Sequence, residues 1–254
     1  MLLFIGNFLT IHGYNPTFME LLTNDLEGKY NIKCASNKKN KLVRIIDMCL
    51  QFYNNLNQIK LVILDTYSTK AYYFVLLISV LSRIHNKPYI LILSGGDLEK
   101  RYKKSSSFHS ILINSSGNIV PSKYLYDFFN NNAYSISYIP NYLNVKSYPF
   151  LYRDTIKPNI LWVRSFHKIY NPQMAIMVLN KILNDYPEAQ LCMVGPIKNN
   201  SIDLVKELII KLKLEKNVTL TGKLTKRNWI HLAKEYDIFI NTTNYDNHPV
   251  TLLE

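Results

Sequence analysis

Cysteine is scarce in this chain: Cys34, Cys49 and Cys192 are the three in 254 residues. No pair has metal-ligand spacing, and an odd count does not build a disulfide framework. Cys49 and Cys192 sit in apolar runs and read as buried small residues. Such usage fits a reducing, cytosol-like compartment. Long apolar runs are missing as well. The longest, Ala71–Leu81, is too short to span a bilayer, so any membrane attachment by these residues is expected to be peripheral. Met1–Ile5 is apolar but ends at Gly6-Asn7, too early for a signal peptide, and reads as a first strand. Familiar catalytic fingerprints are also absent. There is no G-x-G-x-x-G turn, no Walker loop, no nucleophile elbow and no His/Cys cluster. The expectation is no metal and no cofactor.

Acidic residues are in short supply: 18 Asp+Glu against 30 Lys+Arg, a formal charge of +12. That excess favours an anionic partner, whether nucleic acid, an anionic membrane surface or a phosphorylated small molecule. Lys38–Lys41 and Lys100–Lys104 are short clusters, readable equally as solvated faces. The 19 Tyr, 11 Phe and 2 Trp do not alternate with basic residues, which argues against single-strand nucleic-acid binding. With 48% hydrophobic residues the chain can build one large core or two medium ones.

Along the chain, short apolar strands alternate with helical patterns. The spacing predicts strands at Leu2–Ile5, Tyr30–Ser36, Leu61–Leu64, Tyr89–Leu93, Ser110–Asn114, Asn118–Val120 and Ile136–Ile139. Helices are predicted at Thr17–Asp25, Lys41–Asn54, Thr69–His85 and Ser122–Asn130. Thr17 and Glu20 are spaced for a capping box. Tyr142–Pro158 breaks the rhythm and reads as a crossing between domains. A second series follows, with strands at Ile160–Val163, Ala189–Val194, Val218–Thr221 and Asp237–Asn241. Its helices are Pro172–Leu183, Ser201–Leu212, Lys226–Lys234 and a last one beginning near Pro249. This pattern predicts two Rossmann-like domains, 1–150 and 151–254, each a parallel sheet with crossover helices. Ligands of such sheets sit at the carboxyl ends of the strands. The chain stops one turn into its last predicted helix, so the second domain is expected to be incomplete.

Several strand-end loops carry candidate chemistry. Asp246 and Glu254 lie eight apart, flanking His248-Pro249. A helix starting near Pro249 would aim free N–H groups of Val250 and Thr251 at an anion. Asp246 and Glu254 could then grip hydroxyls, or be an ordinary capping turn and a first-turn acid. Arg164 and Lys168 follow a strand, where cations can neutralise a leaving diphosphate or simply meet solvent. Gly6, Asn7 and Gly13 lie in the first loop with His12, and the glycines permit close ligand approach or a plain turn. Gly95-Gly96-Asp97 leaves docking room at a strand end, with Asp97 an acceptor-side base or a cap.

Taken together, Asn159–Lys168, Gln190–Gly195, Asn217–Leu224 and Tyr236–Glu254 resemble, in order and separation, the strand-and-loop landmarks of the retaining glycosyltransferase family 4. The last segment resembles the stretch holding that family's E-x7-E signature, with Asp246 at the first acidic position. Asn247-His248 stands where Gly-Phe is usual. Pro140-Asn141 resembles the landmark that closes the family's first domain. The resemblance implies the GT-B fold: two Rossmann-like domains facing a cleft, the second truncated here. It implies that Arg164 and Lys168 bind the donor diphosphate, that Gly222, Lys223 and Leu224 touch the base, and that Glu254 binds the ribose. Gly195, Pro249, Val250 and Thr251 complete the donor set, and Gly6, Asn7 and Gly13 match loosely. Asp246 and Asp97 are the candidate catalytic acids. The implied partners are a UDP- or GDP-linked sugar donor and a glycan or lipid-linked acceptor of surface polysaccharide or lipopolysaccharide synthesis. A cytoplasmic location is implied, with peripheral contact to an anionic membrane and no nucleic acid. Two alternatives stand beside it: a nucleotide-binding or inactive remnant, and a sugar-nucleotide epimerase on the same fold.

Overall fold

The structure is a computed structural model of the chain, and it describes all residues except 15, 96, 133, 142, 144, 146–147, 245 and 247–249. Its contacts divide into two units, Met1–Tyr142 and Leu143–Glu254.

In the first unit, six strands form one parallel sheet: β1 (Leu2–Ile5), β2 (Ile32–Ala35), β3 (Leu61–Thr66), β4 (Tyr89–Leu93), β5 (Gly117–Val120) and β6 (Ile136–Tyr138). Their order is β2-β1-β3-β4-β5-β6. The helices between them are α1 (Phe18–Leu26), α2 (Lys41–Asn54), α3 (Tyr72–Ile84), α4 (Leu98–Tyr102), α5 (Ser106–Ile113) and α6 (Lys123–Asn130). Strand side chains alternate between two apolar layers. Leu3 and Ile5 pack with Met48, Phe52, Val75 and Phe129 on one face. Phe4, Ile63 and Ile92 pack with Met19 on the other. Covering both faces is what permits near-continuous apolar runs such as that of β3. The capping box forms as spaced: Thr17 N–H donates to Glu20 Oε2 at 2.8 Å, and Glu20 N–H donates to Thr17 Oγ1 at 3.2 Å.

The second unit repeats the scheme with β7 (Asn159–Val163), α7 (Pro172–Ile182), β8 (Gln190–Val194), α8 (Ser201–Lys211), β9 (Val218–Gly222), α9 (Lys226–Leu232) and β10 (Ile238–Phe239). The sheet is parallel, in the order β10-β7-β8-β9. Ile160 and Trp162 face one layer with Ile176 and Val205. Leu161 and Val163 face the other with Trp229.

Three expectations are corrected. Ser110–Asn114 is the end of helix α5, not a strand. The apolar triplet there belongs to a helical set in which Phe108, Ile111 and Leu112 are buried, and Ser105 caps the start by accepting from Phe108 N–H at 3.3 Å. The fourth strand of the second unit is two residues long rather than five. In place of a helix, Val250–Leu252 forms one 3-10 turn.

Candidate functional site

The second unit gathers its strand-end loops into one layer. Arg164 follows β7, and its N–H donates to Val194 O at 3.0 Å. Gly195 follows β8, and its N–H donates to Gly222 O at 2.9 Å. A side chain at Gly195 would stand 1.7 Å from the Arg164 carbonyl oxygen, so glycine is what lets these two loops touch. The segment after β10 is strapped on by a relay. The Trp162 indole N–H donates to Thr242 Oγ1 at 2.9 Å, and the Thr242 hydroxyl donates to Tyr170 O at 2.7 Å. Asn244 N–H donates to Ile169 O at 2.9 Å. Asp246, two residues further, is thereby brought to Arg164.

Arg164 and Asp246 form an ion pair with Nη2 2.8 Å from Oδ2, the side chains 14% and 26% exposed. The oxygen lies off the N–H direction, and Nε and Nη2 of Arg164 are buried without a hydrogen-bond acceptor among the described residues. The Tyr170 ring lies 5.3 Å from the guanidinium carbon. Thr251 Oγ1 is likewise buried without a partner. Buried polar groups are almost always satisfied in folded proteins. Of five such orphan atoms among the described residues, three belong to Arg164 and Thr251, both on the strand-end loops of this unit. The two Arg164 nitrogens only donate, so their missing partner is an acceptor, to which the Thr251 hydroxyl can donate as well.

Glu254 makes a second cluster in this unit. Its Oε1 accepts from Lys226 Nζ and from the Tyr148 hydroxyl, each at 2.6 Å, and its side chain is 8% exposed. Lys226 Nζ also sits 5.2 Å from the Tyr148 ring centre. Burial pulls the Lys226 ammonium down, but its bonds to Glu254 and Tyr148 outweigh it and leave the group raised. Sequence reading missed Lys226 and Tyr148. One signal was present: a lysine in the first turn of α9 opposes the helix dipole and calls for a nearby carboxylate.

The remaining candidates are more dispersed. Lys168 is exposed and opens the 3-10 turn Lys168–Tyr170. Gly222 has φ +70° and closes β9, and Leu224 packs toward Trp229. Lys223 follows Gly222. Val250 and Thr251 belong to the 3-10 turn, while Pro249 lies outside the described residues. In the first unit Gly6 is buried, with room for a Cβ only 3.1 Å from that of Asp65. Asn7 Oδ1 accepts from Arg44 Nη1 at 2.6 Å, and Gly13 is an exposed left-handed cap with φ +76°. Asp97 is exposed at the start of α4 and makes no side-chain cap bond. No group of three or more His, Cys, Asp or Glu suited to a metal occurs among the described residues.

Asp65, at the carboxyl end of β3, is not among the residues singled out from the sequence. It is 4% exposed. Burial raises its carboxyl to about 6, against hydrogen bonding from Ser94 and Tyr67, with Glu20 adding to the rise. The Ser94 hydroxyl donates to Oδ1 at 2.8 Å, while Oδ2 has no well-directed bond. The folded carboxyl keeps its proton to about pH 6 and the unfolded one releases it near 3.8. Folding therefore takes up a proton between those values. The contribution of Asp65 to stability is greatest below the window, falls as pH rises through it and levels off above, by ~3 kcal/mol in all. Denaturant midpoints measured from pH 4 to 7 should show this fall in the native protein. Asp65→Asn should flatten it, and an unchanged slope in that variant would remove the assignment.

Residues 151–254 match the family model described as Glycosyl transferases group 1. No curated protein matches the chain's sequence. Solved structures are similar in fold. The sucrose-phosphate synthase of Thermosynechococcus elongatus is 14% identical, with a TM-score of 0.72 over 98% of this chain and 77% of that one. HepE of Anabaena, solved with UDP and glucose, is 14% identical at a TM-score of 0.65, over 95% of this chain and 74% of that one. The lipopolysaccharide outer core galactosyltransferase WaaB is 14% identical at 0.63, over 99% and 76%. Residues 151–254 are therefore similar to the glycosyl transferases group 1, and the chain has the parallel-sheet α/β fold of the GT-B glycosyltransferases.

Proposed function

We propose that the chain is a retaining glycosyltransferase of family 4. It moves a sugar from a UDP- or GDP-linked donor to a glycan or lipid-linked acceptor in surface polysaccharide or lipopolysaccharide synthesis, at the cytoplasmic face of the membrane. The observation that carries this reading is the buried guanidinium of Arg164, whose charge meets Asp246 but whose Nε and Nη2 lack a well-directed acceptor. A cation kept out of water with two N–H groups lacking acceptors is costly unless an anion completes it. A diphosphate supplies paired oxygens for such a planar donor set. Thr251 adds one more donor from the turn after Asp246. The relatives support the same donor chemistry: HepE is solved with UDP and glucose, and WaaB is named a galactosyltransferase.

In this reading Arg164 stabilises the diphosphate as negative charge grows on it during bond cleavage. Asp246, held by that same arginine, is an electrostatic partner rather than a free nucleophile. Retention then proceeds on one face of the sugar, with the acceptor hydroxyl attacking from the side the diphosphate leaves. Glu254, whose Oε1 is held by Lys226 and Tyr148, is the residue this reading assigns to the ribose hydroxyls.

Isothermal titration with UDP- and GDP-sugars tests the donor, with saturable binding to one nucleotide class expected. Absence of heat with all of them would end the proposal. With a turned-over acceptor, the anomeric proton coupling of the product should match that of the donor, and an inverted coupling would exclude the retaining route.

A further inference from the structure

Helix α2 is apolar beyond what its core contacts need. Met48 and Phe52 are buried against the sheet. Leu42, Val43, Ile46, Leu50 and Tyr53 are all exposed, with Leu42 74% exposed. These five fall within a sector of about 100° around the helix. Asp47, Gln51 and Asn54 share the remaining polar strip. Between this sector and α3 runs a groove of ≈ 280 Å³ lined by Ile45, Ile46, Cys49, Leu50, Tyr53 and Leu77. Helix α3 extends the patch with exposed Tyr73, Val80 and Ile84. A surface helix of a water-soluble unit is expected to turn charge outward, and a contiguous apolar face marks a docking surface.

The surroundings of the patch are one-signed. Residues 37–60 and 67–88 hold α2, α3 and their flanks, with eight Lys or Arg and one acid, Asp47. Asp47 is occupied by the Ser36 hydroxyl. The basic groups lie at both ends of the patch. Both helices are crossovers of a parallel sheet, so both begin at the carboxyl ends of the strands. Exposed Lys38, Lys39, Lys41 and Lys70 mark that end, and Lys60, Arg83 and Lys87 mark the other. No helix among the described residues is long and apolar enough to cross a membrane.

We infer that the α2–α3 face is a docking surface for an anionic lipid bilayer. Its apolar row enters the interface while the lysines at either end meet lipid phosphates. A second copy of the chain fits poorly, because a two-fold contact would set these basic rims against each other. The inference deepens the lipid-linked acceptor reading but is read out without turnover, so a failure of donor binding leaves it standing.

The test is co-sedimentation of the full chain with phosphatidylcholine vesicles, with and without 30% phosphatidylglycerol. Binding is expected only with the anionic lipid and should weaken roughly tenfold as salt rises from about 50 to 300 mM. Ile46→Glu/Leu50→Glu should abolish it with circular dichroism unchanged. Lys38→Glu/Lys39→Glu, which leaves the apolar row intact, should weaken it about tenfold. Equal binding to neutral vesicles, or no loss in either variant, would overturn the inference. So would a dimer in solution that the Ile46→Glu/Leu50→Glu variant dissociates, which would assign the face to a second copy.

Discussion

Gly195→Ala is expected to cost at least ~4 kcal/mol of stability in the second unit, a size that single substitutions reach only through named strain. The cause is the meeting of two loops. The added Cβ would stand 1.7 Å from the Arg164 carbonyl oxygen and 2.6 Å from its carbonyl carbon. Both are backbone atoms at the end of β7, so no side chain can swing aside. Relief requires moving the loop after β7 away from that after β8. That breaks the Gly195 to Gly222 bond and displaces Arg164 together with its buried guanidinium. Gly222→Ala is the internal control. It has a left-handed φ of +70° but nothing within 4 Å of its new Cβ, so only backbone strain of ~1 kcal/mol is expected. Calorimetric melting of both variants checks the contrast. If Gly195→Ala melts within a degree or two of the native protein, the meeting of these loops is not what fixes the strand ends.

That contrast also shows what was legible in the sequence. Period and punctuation exposed the parallel sheets, because strands buried on both faces must read as uniform apolar runs. The capping box at Thr17 and Glu20, Ser122 at the start of α6 and Pro172 at that of α7 were equally plain, since each acts within one turn of its own position. The Ser110–Asn114 segment misled for the opposite reason. Three apolar residues are too few to tell a strand from the end of a helix, and the deciding neighbours, Ser105 and Phe108, lie upstream. The strand-end positions of Arg164 and Gly195 were legible, and the fold puts both there. The bond of Asp246 to Arg164 was not, being 82 positions distant and set by the Trp162–Thr242–Tyr170 relay. The surroundings of Tyr148 and Asp65 were invisible. One sits in an irregular segment and the other ends a strand, and their character comes from burial and partners supplied by the fold.

Arg164→Ala should weaken binding of a nucleoside diphosphate by roughly 30- to 100-fold, the size expected when a charge-assisted hydrogen bond is removed from a mostly buried site. Stability should change little, because the native guanidinium already leaves Nε and Nη2 unsatisfied and deleting it removes that cost along with the ion pair. A structural arginine would show the reverse, with a lower melting point and unchanged affinity. Asp246→Asn separates the two halves of the pair. In the unliganded protein Asp246 holds the guanidinium at 2.8 Å and competes with an incoming anion for it. Removing the carboxylate charge should therefore tighten binding of the bare nucleoside diphosphate several-fold. Turnover should fall in the same variant, since the proposed function puts the Asp246 carboxylate beside the transferred sugar. Titration of both variants with UDP and GDP, alongside kcat and KM once an acceptor is known, reads the two effects separately. Tighter nucleotide binding with slower turnover would make Asp246 an occupant of the anion's place that yields to the donor. Weaker binding in both variants would instead make it part of the set of groups that hold the donor, and Arg164 would then need Asp246 for its aim.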